Sequence, residues 1–232
     1  MTDSHPNSLM LFAAGLGTRM GALAAEMPKP LIKVAGRALI DHALDQVEGA
    51  GIARTVVNLH YKSEMMRDQL ANRNVVFSEE LETILETGGG LRHALPLLGK
   101  SPVFTFNSDA IWAGPNPLKL LAEAWNPEKM DALLLLVAPQ NARGHTGAGD
   151  FVVNATGQLT RGPGHIYSGA QILCTERLSE IADDVFSLNV LWNKMMAENR
   201  IYGLLYPGQW CDVGRPEGIA EAENLLAEVR DV

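Results

Sequence analysis

An apolar run, Leu9–Ala14, empties into Gly15-Leu16-Gly17-Thr18-Arg19-Met20, and Pro28-Lys29-Pro30 follows shortly after. Glycines let backbone amides come close to an anion, and successive amides turned one way form a nest for phosphate oxygens. Arg19 adds a forked donor that stays charged. Lys29 adds a compact point charge on a loop stiffened by its flanking prolines. A polyphosphate suits such a set, and it needs a metal, a base pocket and a second substrate elsewhere in the chain. Asp109 closes Asn107-Ser108-Asp109 at the end of an apolar run, where a carboxylate can hold Mg²⁺ while phosphates and waters complete the octahedron. A plain cap or turn role is open to the same residue.

The glycine loop has competing readings. A dinucleotide fingerprint needs a third glycine and an acidic residue after the second strand. Here Met20 replaces that glycine, and the second strand ends in Asn58-Leu59-His60. A Walker-type loop would need Gly-Lys followed by Ser or Thr, which is absent. A nucleoside triphosphate held by loop amides, Arg19 and Lys29 remains, beside an ordinary strand-to-helix turn.

The elements that must position these residues follow from periodicity. Ala38–Gly49 has apolar residues at Leu39, Ile40, Ala43, Leu44 and Val47, the stripe of a helix. Ile52–Leu59, Asn74–Ser78, Ser101–Phe106 and Asp131–Ala138 read as strands. Ser63 reads as the N-cap of a helix burying Met66 and Leu70. Glu79–Gly90 reads as a glycine-ending loop feeding a helix over Leu91–Leu98, and Pro117–Trp125 reads as another helix. Such alternation predicts a parallel-rich sheet covered on both faces. Past a glycine-rich loop, Asn141–Asp150, short strands are predicted over Phe151–Asn154, Gly157–Arg161 and His165–Cys174. A helix over Ser187–Glu198, a strand over Ile201–Tyr206 and a closing helix over Pro216–Glu228 complete the chain. With no evident linker, residues 1–232 are expected to form one domain, a nucleotide half over 9–138 and a smaller, lid-like half over 139–232.

Composition bounds the function. The 232 residues are 47% hydrophobic and 20% charged, enough for a sizeable core. A net charge of −8 argues against a nucleic-acid partner. The longest apolar run, Ala132–Pro139, is too short to span a bilayer, and residues 1–8 lack the pattern of a secretory signal. Cys174 and Cys211 have no metal-type spacing and read as reduced thiols of a cytoplasmic protein. His60, His93, His145 and His165 are scattered without ligand spacing, and Trp112, Trp125 and Trp192 read as packing residues.

Jointly, the motifs resemble the sugar-phosphate nucleotidyltransferases over roughly residues 9–228. The matching segments are Phe12–Met20, Pro28-Lys29-Pro30-Leu31, Leu85-Glu86-Thr87-Gly88-Gly89-Gly90, Asn107-Ser108-Asp109 and Trp210-Cys211-Asp212-Val213-Gly214. The ETGGG run and Leu95–Gly99 look like the short bacterial N-acetylmuramate-1-phosphate uridylyltransferases, with mannose-1-phosphate guanylyltransferase-like proteins as the nearest rival. The resemblance implies a Rossmann-like three-layer α/β/α sandwich with a mixed, mostly parallel central sheet. It also implies Mg²⁺-dependent attack of a sugar-1-phosphate on the α-phosphorus of UTP or GTP, releasing pyrophosphate, by a monomer or homodimer.

On that resemblance Arg19 and Lys29 are catalytic, and Asp109 and Asp212 hold the metal. Ala14, Gly15, Gly17, Thr18, Arg19, Glu86, Thr87, Gly88, Gly89 and Asn107 bind nucleotide, the glycine triplet reading the base. Gly149, Asp150, Ser168 and Gly169 face the sugar. Two departures stand out: Ser108 replaces a glycine, and Leu159-Thr160-Arg161-Gly162 stands where many members have Glu-Lys-Pro, with Arg161 as the substitute cation. A regulatory protein that binds a nucleotide sugar without turnover is the alternative of a different class.

Overall fold

The computed structural model describes residues 6–230. Strand β1 (Ser8–Phe12) runs into the glycine loop, which a single 3-10 turn, Thr18–Met20, and the short helix α1 (Ala22–Glu26) close. A small hairpin, β2 (Lys33–Val34) and β3 (Arg37–Ala38), leads to α2 (Leu39–Ala50). Strand β4 (Arg54–Leu59), helix α3 (Ser63–Leu70) and strand β5 (Val76–Glu79) follow. Next come α4 (Glu86–Leu98), β6 (Val103–Asn107), β7 (Ala110–Ala113), α5 (Pro117–Ala124) and β8 (Ala132–Val137). The remainder holds β9 (Ala142–Arg143), β10 (Phe151–Val153), β11 (Leu159–Arg161), β12 (Ile166–Leu173), α6 (Asn189–Ala197), β13 (Ile201–Leu205), β14 (Gln209–Asp212) and α7 (Glu217–Arg230).

Seven strands make the central sheet in the order β13-β8-β12-β6-β1-β4-β5. β1 pairs in parallel with β4 and β6, and β4 with β5, whereas β12 runs antiparallel to both its neighbours. The sheet is therefore mixed and mostly parallel, with helices on both faces, as the alternation predicts. Period-two alternation divides its side chains. Leu9, Leu11, Val57, Phe104, Phe106, Leu133 and Leu135 join one core layer with Ile40 and Val47 of α2, Met66 of α3 and Leu121 of α5. Met10, Val56, Val103, Leu134 and Leu136 face the opposite way, onto Leu91 and Ala94 of α4 and Leu191 and Met195 of α6.

A second, three-stranded sheet, β7-β14-β9, carries a core of its own, in which Ile111, Cys211 and Val213 pack on Ala222 and Leu225 of α7. Neither β7 nor β14 is foreseen from the sequence. Each is four residues long and acquires its partner only through distant pairing, Asp212 opposite Ala110 and Trp210 opposite Trp112. Two local readings are corrected. Lys62, at φ 49°, takes the N-cap position of α3 instead of Ser63. Gly88, Gly89 and Gly90 are buried in the first turns of α4 instead of forming a loop ahead of it.

Candidate active site

β1, β4 and β6 end side by side, and a cleft of about 430 Å³ opens at their carboxyl ends, the usual ligand position in open α/β sheets. Residues 12–19 form its floor and one wall. Met20 is fully buried in the second core, so the loop is pinned by an apolar anchor where a dinucleotide loop has its third glycine. Gly17 sits at φ 62°, and a Cβ there would come within 2.7 Å of the Lys29 Cβ. Only glycine lets the loop and the lysine lie this close. Pro28, Lys29 and Pro30 are all buried, and Lys29 is only 7% exposed.

Lys29 Nζ donates to Asp109 Oδ2 at 2.6 Å, so the lysine is fixed in the cleft by an ion pair. Arg19 lines the same cleft, is exposed, and has no hydrogen-bond or ion-pair partner among the described residues. Asp109 is held by its backbone: its carbonyl accepts from the Val213 amide at 3.0 Å, extending the β7–β14 ladder. That ladder brings Asp212 into the same electrostatic neighbourhood. Burial raises the Asp212 pKa, and the charge of Asp109 raises it further, while Lys29, Arg19 and His145 pull it back. Lys29, Arg19 and Asp109 thus share one cleft, whereas Asp212, coupled to them by charge, lines a second cavity of about 620 Å³ with His145 and Arg215. Ser108 keeps an ordinary negative φ and donates its hydroxyl to the Phe12 carbonyl at 2.6 Å, tying the end of β6 to that of β1.

A family model for the MobA-like NTP transferase domain matches residues 9–181. The chain belongs to that family. It is 40% identical to the N-acetylmuramate alpha-1-phosphate uridylyltransferase of Caulobacter vibrioides, over 96% of this chain and 98% of the relative. The protein of the same name from Neisseria meningitidis is 33% identical, over 93% and 96% of the two chains. Among solved structures, HddC from Yersinia pseudotuberculosis, crystallised with GMP-PN, superposes with a TM-score of 0.76 at 20% identity, over 95% of this chain and 99% of that one.

In this MobA-like NTP transferase chain the cleft collects most of the predicted nucleotide set: Ala14, Gly15, Gly17, Thr18, Arg19, Glu86, Thr87 and Asn107. Glu86 begins α4 at φ 63°, a left-handed conformation costly for a residue with a Cβ. The Thr87 hydroxyl accepts from the Leu188 amide at 3.0 Å.

Gly88 and Gly89 are different. Neither lines this cleft, and both amides donate to the Phe186 carbonyl, at 2.9 and 3.0 Å. A Cβ on Gly88 would strike the Phe186 ring at 2.3 Å, and one on Gly89 would strike the Asp184 carbonyl at 2.3 Å. Their missing side chains admit the 184–186 segment of this chain.

The predicted sugar residues also take other positions. Ser168 is 1% exposed; its hydroxyl donates to the Leu135 carbonyl at 2.6 Å and accepts from the Ala170 amide at 3.3 Å. Asp150 is exposed and accepts the Tyr167 amide at 2.8 Å, and Gly149 abuts the Gly164 carbonyl. None of the three lines the cleft. Gly169, at φ 87° in the bulge of β12, lies where a Cβ would collide with Asn107, so it makes room for a cleft residue without lining the cleft itself. Arg161 stacks over Phe151 and Trp192 and bonds Asn189, so its guanidinium is already engaged.

Sequence reasoning missed Asn58 and Glu80, both lining the cleft and only 4% and 3% exposed. The available signal is a polar residue, Asn58, inside an otherwise apolar buried strand end.

Proposed function

We propose that the chain is a sugar-1-phosphate nucleotidyltransferase that joins N-acetylmuramate 1-phosphate to the uridylyl group of UTP and releases pyrophosphate. The meeting of Arg19 and the Lys29–Asp109 pair in one cleft, with Asp212 near enough for its charge to couple to theirs, supports this reading. Near-complete coverage of a uridylyltransferase at 40% identity supports the choice of base and sugar. No helix among the described residues is long and apolar enough to cross a membrane. On this reading the protein works in the cytoplasm, where nucleoside triphosphates are plentiful, in recycling cell-wall sugars.

The nucleophile is an ionised phosphate oxygen, so no side chain has to remove a proton. What the residues must do is bring two polyanions together in line. The amides of Gly15–Thr18 cradle the triphosphate at the carboxyl end of β1. Arg19, without a hydrogen-bond or ion-pair partner among the described residues, meets the departing pyrophosphate with its fork. Lys29, preorganised by Pro28, Pro30 and Gly17, is aimed at the α-phosphate or the attacking phosphate. Glu86, Thr87 and Asn107 line the rest of the cleft, towards nucleoside and sugar.

Asp109 and Asp212 fit a hard divalent cation: both offer oxygen donors, and the burial and repulsion that raise the Asp212 pKa would be relieved by a positive charge nearby. Mg²⁺ bound there supplies neutralisation of the facing phosphates. A panel of four nucleoside triphosphates crossed with several sugar-1-phosphates, read by pyrophosphate release with and without Mg²⁺, tests the proposal. UTP with N-acetylmuramate 1-phosphate should lead. Absence of pyrophosphate from every pair overturns it.

A further inference from the structure

Two lips face each other across the cleft: the loop after β1, beginning at Ala13, and the turn at Leu85–Glu86 that starts α4. Between them runs a buried polar chain. The Ala13 amide donates to Asn58 Oδ1 at 2.7 Å, Asn58 Nδ2 donates to Glu80 Oε1 at 2.7 Å, and Glu80 Oε2 accepts the Leu85 amide at 2.7 Å. A backbone amide can only donate, so Ala13 fixes which end of the Asn58 amide faces it, and the other end must then donate to Glu80. Two donors converge on Glu80, and only a carboxylate offers an acceptor to each. Gly90 completes the fit, since a Cβ there would stand 2.7 Å from Glu80 Oε1.

We propose that Asn58 and Glu80 are positioning residues that hold the two lips at one separation, and so preset the cleft for a nucleoside triphosphate. The inference rests on the nucleotide-binding part of the reading above. Buried polar networks of this kind are rigid when complete and costly when one member lacks its partner. Loosening the tie lets the Ala13 amide and the strained start of α4 drift apart, and sub-ångström drift in a positioning element weakens productive binding by tenfold or more.

The order of donors and acceptors can be inverted by design. In Glu80→Gln, the new amide must aim its N–H at another donor, either Asn58 Nδ2 or the Leu85 amide. In Asn58→Asp, two carboxylates face each other with no donor between them. Combining the two substitutions restores all three bonds. The new carboxylate at position 58 accepts from the Ala13 amide and from the amide at position 80, whose carbonyl takes the Leu85 amide.

UTP affinity in the presence of Mg²⁺ is measured by calorimetry, with thermal melting in parallel and KM for UTP where turnover is seen. Each single variant should bind UTP at least tenfold more weakly while still folded, and the double variant should return to within threefold of the parent. Folded single variants that bind UTP like the parent, or a double variant no better than the singles, overturn the inference. A parent that binds UTP without releasing pyrophosphate sinks the catalytic reading alone. A parent that turns over, with unaltered UTP binding in the single variants, sinks the positioning role alone. A parent that binds neither UTP nor GTP sinks both.

Discussion

At the scale of single residues, the cleft separates side chains with an internal partner from those without one. Lys29 is buried and engaged by Asp109, so Asp109→Asn should both slow turnover and cost stability. Pyrophosphate release should fall about a hundredfold or more. The melting midpoint should drop by the equivalent of about 1–2 kcal/mol, because Lys29 loses its charged acceptor. Arg19 has no partner among the described residues, so Arg19→Ala should leave the melt within about 0.5 kcal/mol of the parent. It should raise the KM for the triphosphate about tenfold, one charge-assisted contact's worth. Arg19→Lys should recover only part of that loss, since a point charge replaces a fork. An Arg19→Ala enzyme with parental KM would remove Arg19 from the phosphate site.

At the scale of elements, glycines that look alike in sequence do opposite jobs, and two alanine substitutions separate them. Gly15 has nothing within 4 Å of where a Cβ would be, so Gly15→Ala should fold like the parent while its methyl intrudes on the cleft and weakens triphosphate binding. Gly88→Ala would gain about 1 kcal/mol in helix propensity, yet must push aside the Phe186 ring and carbonyl. Overpacking of this kind costs about 1–3 kcal/mol, so the net effect should be a lower melting midpoint. Denaturant titration of both variants checks the pair. The main-sheet strands were legible as short, near-continuous apolar runs, and the long helices because their apolar residues recur every three to four positions. The glycine triplet reads as a loop but lies in a helix, because composition shows a missing side chain without showing what fills the space. The 184–186 segment fills it at Gly88 and Gly89, and Glu80 with Asn58 fills it at Gly90. β7 and β14 escaped notice because four residues carry too little periodicity, and their pairing is a tertiary fact.

At the scale of the whole molecule, the grouping of the glycine loop, Lys29 and Asp109 in one cleft was legible, since residue type and flanking sequence single these residues out. The Asn58–Glu80 chain was not, because hydrogen-bond partners depend on geometry that spacing does not encode. Cys211 is buried and Cys174 half-buried, and burial, aided by nearby carboxylates, pushes the Cys174 thiol up to about 11 and the Cys211 thiol up to about 12. A raised folded-state pKa stabilises the native protein only while the unfolded thiol also keeps its proton. Their contribution is therefore complete at neutral pH and is lost as pH climbs from about 9 towards 11 for Cys174 and towards 12 for Cys211. Denaturant midpoints measured across pH 7–11 should decline over that window. Alkylation at pH 8 should be much slower for the native chain than for the urea-unfolded one.

The two carboxylates proposed to share a cation come from strands in opposite halves of the chain, joined only when β14 adds to β7. A ribosome-bound chain that has emerged as far as β13 therefore already carries the triphosphate cradle but lacks its second acidic arm. On the proposed reading, competence for group transfer has to wait until β14 has been made, after every strand of the main sheet.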